Sequence, residues 1–403
     1  MTDKKTIAVF FGGRSPEHDV SVVTGLQVLQ AIDQTKYEAF PVYITTDGAW
    51  YIGDALRERA NYLPDRTMLD SLTQVTLDVA ANGAPKGRLL ARKKSIFGGV
   101  KPVEFDVAVP AFHGLIGEDG NIQGLFETAK TPYTGMRTMA SALTMDKGVS
   151  KRLMQSLDIP TLPFAILRRA EQGYTLPVKD IAAQLSDMPF PVCVKPCHLG
   201  SSIGVAKCND ADEVHACLPA IFKYDSAAIV EAFVENMVEY NVAVARMDGK
   251  IVTSALERPK NTADLLDFKQ KYLSGGDDKT GEKKMGQLSE GMLSLTRELN
   301  PDLAAKTEGN IRSWAERLFD ALDGTGAPRI DFIGNDKTGD IWMNEINACP
   351  GSFGYFLWEA AKDSVLFTNL LTHLIEEARQ YARGMAMPAD PVPMDARLHK
   401  RPT

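Results

Sequence analysis

A chain of 403 residues with 44% hydrophobic and 24% charged side chains is long enough for two or three cores and has the balance of an ordinary globular protein. Its formal charge of -7 argues against nucleic acid or a membrane surface as the main partner and suits a small-molecule enzyme that keeps a local basic pocket. Five cysteines without a CxxC pair suggest neither a disulfide framework nor a zinc site, and with no signal peptide and no bilayer-length apolar run the chain reads as cytoplasmic.

In chain order, TIAVFFGG reads as a buried strand ending in paired glycines. SPEHDVSVVTGLQVLQAID follows with helical spacing, Ser15 as N-cap and Pro16 at the first helical position. YEAFPVYIT returns as a strand, so the chain opens as a βαβ unit and predicts a parallel sheet. About 50 residues after Trp50 read as irregular, and FDVAVPAFHG resumes as a buried strand. MDKGVSKRLMQSLDIP predicts a helix stopped by Pro160, followed by the strand PFPVCVKP, a glycine-serine loop and the strand AAIVEAFV. Beyond them come VEYNVAVAR, the polar loop LLDFKQKYLSGGDDKTGEKK, a helix around AAKTEGNIRSWAERLFDALD, a hairpin, a last helix FTNLLTHLIEEARQYARG and a Pro-rich polar tail. The predicted domains are 1–140, 141–240 and 241–383, with 384–403 as the tail.

The hairpin RIDFIGNDKTGDIWMNEIN raises a problem of charge. Period-2 alternation puts Arg329 and Asp331 on one face of its first strand, and Glu345 and Asn347 on one face of its second. If register brings those faces together, two carboxylates meet beside apolar neighbours and something positive should sit between them. An ordinary solvated polar face is one reading. The other is magnesium, which takes hard oxygen ligands and shares them with phosphates, with Arg329 steadying charge that develops in reaction.

VKPCHLGSSIGVAK places Lys195 at a strand end before Gly200, Ser201, Ser202 and Gly204, so that backbone and hydroxyl donors lie close together. It fits neither GxGxxG nor a Walker loop, and as a pattern it reads equally as a glycine-rich hairpin or a phosphate cover. His113, in FHGLIGEDG, reads as a hydrogen-bonded structural histidine more than as a catalyst. Glu17 near a helix start reads as a partner of the helix dipole, and Lys147 either as a solvated lysine opposing that dipole or as the neighbour of an anion.

The ordered set GGRSPEHDVS, HGLIGEDGNIQG, PYTG, MDKGVSKRL, PVCVKPCHLGSSIGVAK, KQKYLSG, RIDF and NEINACPG resembles the D-alanine:D-alanine ligase family of the ATP-grasp superfamily from about Ala8 to Trp358. The resemblance implies an α/β, ATP-grasp architecture of three domains, the first Rossmann-like, with ATP gripped between antiparallel sheets of the other two. It implies phosphorylation of one D-alanine by ATP and attack of a second D-alanine on the acyl phosphate, for peptidoglycan and cell-wall synthesis, often in a homodimer. By the same resemblance Lys147 and Lys195 meet the ATP phosphates under a loop holding Ser201 and Ser202, and Lys271 also binds the nucleotide. Glu231 falls in the adenine-contacting segment and Glu239 near the ribose. Asp331, Glu345 and Asn347 match ligands of two Mg2+ ions, or Mn2+, and Arg329 matches the arginine at the reacting carboxylate. Glu17 and His113 match the first-substrate pocket, and Lys271 with Tyr272 match the closing loop.

Two departures fall on the acceptor side. PGSFGYFLWEA reaches its tryptophan about four residues sooner than the family pattern and lacks the serine that binds the second substrate's carboxylate, near which Gly351 and Ser352 stand; Phe268 and Lys269 replace a tyrosine and an acid. D-alanyl-D-alanine synthesis therefore competes with a ligase of the same chemistry that takes another amino acid or amine, and with an ATP-binding regulator without turnover.

Overall fold

The computed structural model describes residues 4–62, 66–80, 85–92, 102–171, 175–200, 204–260, 297–384, 392–393 and 395–398. Among these residues the chain builds three sheets. The first holds β1 (Lys5–Gly12), β2 (Tyr37–Ile44), β3 (Trp50–Ile52), β4 (Thr73–Leu77), β5 (Gly87–Ala91), β6 (Val103–Phe105) and β7 (Val107–Pro110), in the order β6-β5-β4-β3-β2-β1-β7. β1 lies parallel to β2 and β7 across the crossover helix α1 (His18–Ala31), as the βαβ reading predicts. The stretch after Trp50 is not irregular throughout: it adds antiparallel strands outward from β2. These strands have three to five residues, too short for alternation to stand out in sequence.

A second correction concerns the start of α1. The helix begins at His18 with Glu17 at its cap, and the Ser15 hydroxyl accepts the Glu17 N–H at 3.1 Å instead of capping a helix that starts at Pro16. Ser15 and Pro16 form a turn that leaves the Glu17 side chain buried beside the loop after β7.

Short helices α2 (Arg66–Asp70), α3 (Asn121–Thr128), α4 (Thr138–Met145) and α5 (Lys147–Ser156) precede the second sheet. That sheet is antiparallel, with β8 (Phe164–Arg168), β9 (Val192–Pro196), β10 (Ala206–Cys208) and β11 (Ala227–Ala232) in the order β10-β9-β11-β8. Helices α6 (Val178–Gln184) and α7 (Ala211–Phe222) cover one face, burying Ile181, Leu218 and Ile221 against Leu167, Val194 and Val230.

The third sheet orders β12 (Met237–Met247), β13 (Lys250–Pro259), β14 (Arg297–Leu299), β15 (Arg329–Asn335) and β16 (Ile341–Asn347) as β14-β13-β12-β15-β16. Residues 237–240, placed in the second segment by sequence, are strand residues of this sheet. Helix α8 (Ala305–Ala321) covers one face with Ile311, Ala315 and Phe319 against Val242, Ile330 and Phe332. After it α9 (Tyr355–Glu359) and α10 (Phe367–Gly384) return to the first sheet, where Trp358 and Leu371 share a core with Val9, Phe11 and Leu26. No helix among the described residues is long and apolar enough to cross a membrane.

Candidate active site

Because α8 occupies the apolar face of the third sheet, the opposite face is left to polar residues. Register lines them up across four strands. Glu257 stands opposite Asn241, Asn241 opposite Asp331, and Asp331 opposite Glu345. Arg329 and Asn347 form the neighbouring rung. Glu239 lies two residues along β12 from Asn241, on the same face, opposite Ile333. The hairpin register thus brings together the four residues that sequence alternation put on two separate faces.

A bulge makes this possible. Phe332 pairs with Met343 while Asp331 pairs with Glu345, so Asn344 is the extra residue. The bulge switches the phase of β16: Met343 is fully buried under α8, yet Glu345 two residues later belongs to the polar face. It also re-aims Asn344, whose Oδ1 accepts from Lys195 Nζ at 3.1 Å across the gap between the second and third sheets.

The chain's own cations supply the first countercharge. Arg329 holds Asp331 as a two-point fork, Nε–Oδ1 at 2.6 Å and Nη2–Oδ2 at 2.7 Å, and Asn347 Nδ2 adds a donor at 2.9 Å. Lys147 Nζ stands 3.4 Å from Glu345 Oε2 and donates to the Leu199 carbonyl at 2.7 Å. Lys147 is buried, which removes the solvated reading. Asp146 caps its helix by accepting the Val149 N–H at 2.9 Å.

Beside this row lies a chain of buried ions. Glu231 Oε2 is 2.5 Å from Lys195 Nζ, and Glu231 Oε1 is 2.6 Å from Lys151 Nζ. Burial alone would raise the Glu231 carboxyl, but Lys151 and Lys195 outweigh it and hold it down at about 2. The resemblance puts Glu231 in the adenine-contacting segment, and in the structure its carboxylate contacts the two lysines.

His198 joins the segment after β9 to this assembly. Its Nδ1 lies 2.8 Å from Asp225 Oδ1 and its Nε2 lies 3.2 Å from Asp146 Oδ2, contacts that raise its pKa to about 9, Asp146 contributing most. The folded pKa exceeds the unfolded value of about 6.5, so this stabilisation is complete below about pH 6.5 and is lost as pH rises through about 9. Unfolding midpoints measured from pH 6 to 10 are expected to fall less steeply in His198→Gln than in the unsubstituted protein; parallel curves would contradict this.

The other wall of the cleft is built from the turn before α1 and the loop after β7. A Cβ on Gly114, whose φ is +74°, would sit 2.4 Å from Glu17 Oε2, and one on Gly200 would sit 3.1 Å from both Glu17 carboxylate oxygens. Two glycines therefore make room for one carboxylate. His113 is buried with Nε2 2.8 Å from Thr24 Oγ1, and burial lowers its pKa to about 4, so the ring is neutral at pH 7. Glu118 accepts the Gly114 and Cys349 N–H groups at 2.7 and 2.8 Å, while burial and then the Glu17 charge raise its pKa to about 8.

Sequence reasoning missed the roles of Lys151, Asn344, Glu118 and Thr24; burial and the bulge position them, burial leaves no pattern in one chain and the bulge only a faint one. Gly351 lines the cleft, but Ser352 turns away from it: its hydroxyl donates to Gln27 Oε1 and its N–H to Thr24 Oγ1 at 3.3 Å. Ser201, Ser202, Lys271 and Tyr272 lie outside the described residues.

Glu17, His113, Lys147, Arg329, Glu345 and Asn347 all line one cleft of ≈ 710 Å³, open solvent included. No cluster of three or more His, Cys, Asp or Glu suited to a metal occurs among the described residues. The donor set nevertheless fits magnesium, which commonly takes one or two carboxylates and completes its shell with phosphate and water oxygens. Asn347 spends its Nδ2 on Asp331, so its amide oxygen is the atom with which it would meet a cation.

Comparison with known proteins gives the family. The family described as D-ala D-ala ligase N-terminus matches residues 6–136, and D-ala D-ala ligase C-terminus matches residues 153–376. The D-alanine--D-alanine ligase of Thermosipho africanus is 32% identical over 372 residues, 92% of each chain. The D-alanine-D-alanine ligase from Coxiella burnetii superposes with a TM-score of 0.75 at 24% identity, over 95% of this chain and 96% of its own. VanG D-Ala:D-Ser ligase from Enterococcus faecalis does so with 0.70 at 24%, over 93% and 100%. The fold is that of an ATP-grasp enzyme. The chain belongs to the D-alanine–D-alanine ligase family, and it is an ATP-dependent ligase acting on small molecules.

Proposed function

We propose that this protein joins two D-alanines to D-alanyl-D-alanine in the cytoplasm, for peptidoglycan synthesis, with the three sheets as the cores of three domains. The observation that carries this reading is one cleft in which the Glu17–His113 wall faces Arg329, Glu345 and Asn347 of the third sheet. A carboxylate resists amines because oxide leaves poorly, whereas the phosphate of an acyl phosphate leaves well. Arg329 orients the reacting carboxylate and steadies its developing charge, and Lys147 and Lys195 hold the nucleotide's phosphates. Glu17 receives the ammonium of the first D-alanine. Glu118, carrying its proton at neutral pH, adds no second negative charge there. Asp331, Glu345 and the Asn347 oxygen would hold two magnesium ions, which supply neutralisation of the transferring phosphoryl group.

Glu17's role gives a test by substitution. In Gly114→Ala the new methyl displaces the Glu17 carboxylate, since both the contact at 2.4 Å and the positive φ oppose it. The KM for D-alanine is expected to rise at least roughly tenfold, in line with the cost of misplacing a binding group by about 1 Å, while the KM for ATP holds. Equal increases in both would detach Glu17 from the amino-acid pocket.

A second reading keeps the chemistry and changes the acceptor. The committed Ser352 hydroxyl favours it, because the short turn after Pro350 then offers no hydroxyl at the place of the family's carboxylate-binding serine. Mg-ATP with D-alanine, followed by ADP release and product mass, separates the readings. D-alanyl-D-alanine supports the first. ADP release only with another amino acid or amine, found on a substrate panel, supports the second. Nucleotide binding without turnover on any substrate overturns both.

A further inference from the structure

Lys151 lies one helical turn beyond Lys147 on α5 and is fully buried. A buried ammonium costs several kcal/mol to desolvate, so packing alone would favour Leu or Met at this position. The carboxylate it contacts is Glu231, itself 1% exposed, which reaches Lys151 with one oxygen and Lys195 with the other; burial lowers the Lys151 pKa, and Glu231, with Glu345 farther off, acts against it. Lys195 is thus pinned from two sides, by Glu231 of β11 and by Asn344 of the β16 bulge.

Pinning a lysine with a carboxylate has a drawback. An ammonium and a carboxylate in contact form a neutral pair, and the field they project toward an anion falls away as that of a dipole. A second ammonium on the far side of the carboxylate reverses this: the three groups together carry one net positive charge while Lys195 keeps its fixed position. Glu231 is held ionised at about 2 against the effect of its own burial.

We infer that Lys151 is a positioning residue for nucleotide binding: it neutralises Glu231, so that Lys195 stays anchored yet presents an uncancelled positive charge to the phosphates. This rests on the reading in which Lys195 meets those phosphates. Lys151 itself touches no substrate. Its contribution is specific to the anionic ligand, which separates it from a merely structural role.

The test uses the full-length protein and ATP binding measured by calorimetry without turnover. Lys151→Met should weaken ATP binding roughly ten- to a hundredfold, the order set by one uncompensated charge a few ångströms away at intermediate dielectric, and leave the KM for D-alanine unchanged. The double variant Lys151→Met/Glu231→Gln removes both charges and should recover most of the ATP affinity. Unchanged ATP affinity in the single variant, or a double variant as weak as the single one, overturns the inference. If the single variant does not fold, the double variant decides alone, because it strands no charge: near-normal ATP affinity supports the inference and weak binding overturns it. Lys195→Met separates the two levels. If it binds ATP normally the reading of the site falls, whereas if it binds weakly and Lys151→Met binds normally, only the role of Lys151 falls.

Discussion

Glutamine in place of Glu345 is expected to cut ATP turnover by roughly 10²–10³-fold, the scale of removing one preorganised charge from a transition-state site. Glu345 is near-isosteric with glutamine and lies on β16 at the edge of the third sheet. Its carboxylate faces Lys147 at 3.4 Å with its side chain 27% exposed, so the change should alter stability by less than about 1 kcal/mol. The amide keeps an oxygen but no longer balances a cation. Steady-state kinetics beside a thermal melt check both halves, and retained turnover in a folded variant would count against the assigned metal face.

Methionine in place of Arg329 should be damaging in a different way. The fork to Asp331 is made by side chains only 17% and 13% exposed. Removing the guanidinium takes two donors from the Asp331 carboxylate, which keeps the Asn347 Nδ2 contact at 2.9 Å. Breaking a fully buried pair costs about 3–5 kcal/mol, and partial exposure here reduces the expected loss to about 1–3 kcal/mol. Turnover should fall further than stability does, because the same guanidinium is assigned to the reacting carboxylate. Arg329→Lys separates the effects: it keeps the charge, loses the fork, and should recover stability more than rate. Denaturant unfolding with kcat on the three proteins checks this, and a lysine variant with full rate would remove the directional role of the guanidinium.

Much of this arrangement was legible in the sequence, and the missing parts have physical causes. The hairpin could be read because Arg329 to Phe332 alternate strictly, and its acids could be paired because charges beside buried strands demand partners. The bulge left only a trace: Met343 and Ile346 are both buried three residues apart, which strict alternation forbids. The short strands after Trp50 carried too little periodicity. Lys147 and Lys151 look alike in MDKGVSK, and only tertiary packing shows that one lines the cleft while the other backs Glu231. Ser352 was ambiguous because its fate depends on α1, more than 300 residues earlier, where Gln27 takes its hydroxyl. Local chemistry was readable; partners brought together across sheets were not.

The acid face of β15 and β16 is tested most directly by counting metal. Electron paramagnetic resonance of Mn2+, titrated into the protein with a non-hydrolysable ATP analogue, reports bound ions without turnover. The expected result is two nucleotide-dependent ions per chain, at least one of them lost in Glu345→Gln and in Asp331→Asn. Equal, nucleotide-independent binding in all three proteins would contradict the assignment of that face to the metal and the phosphates.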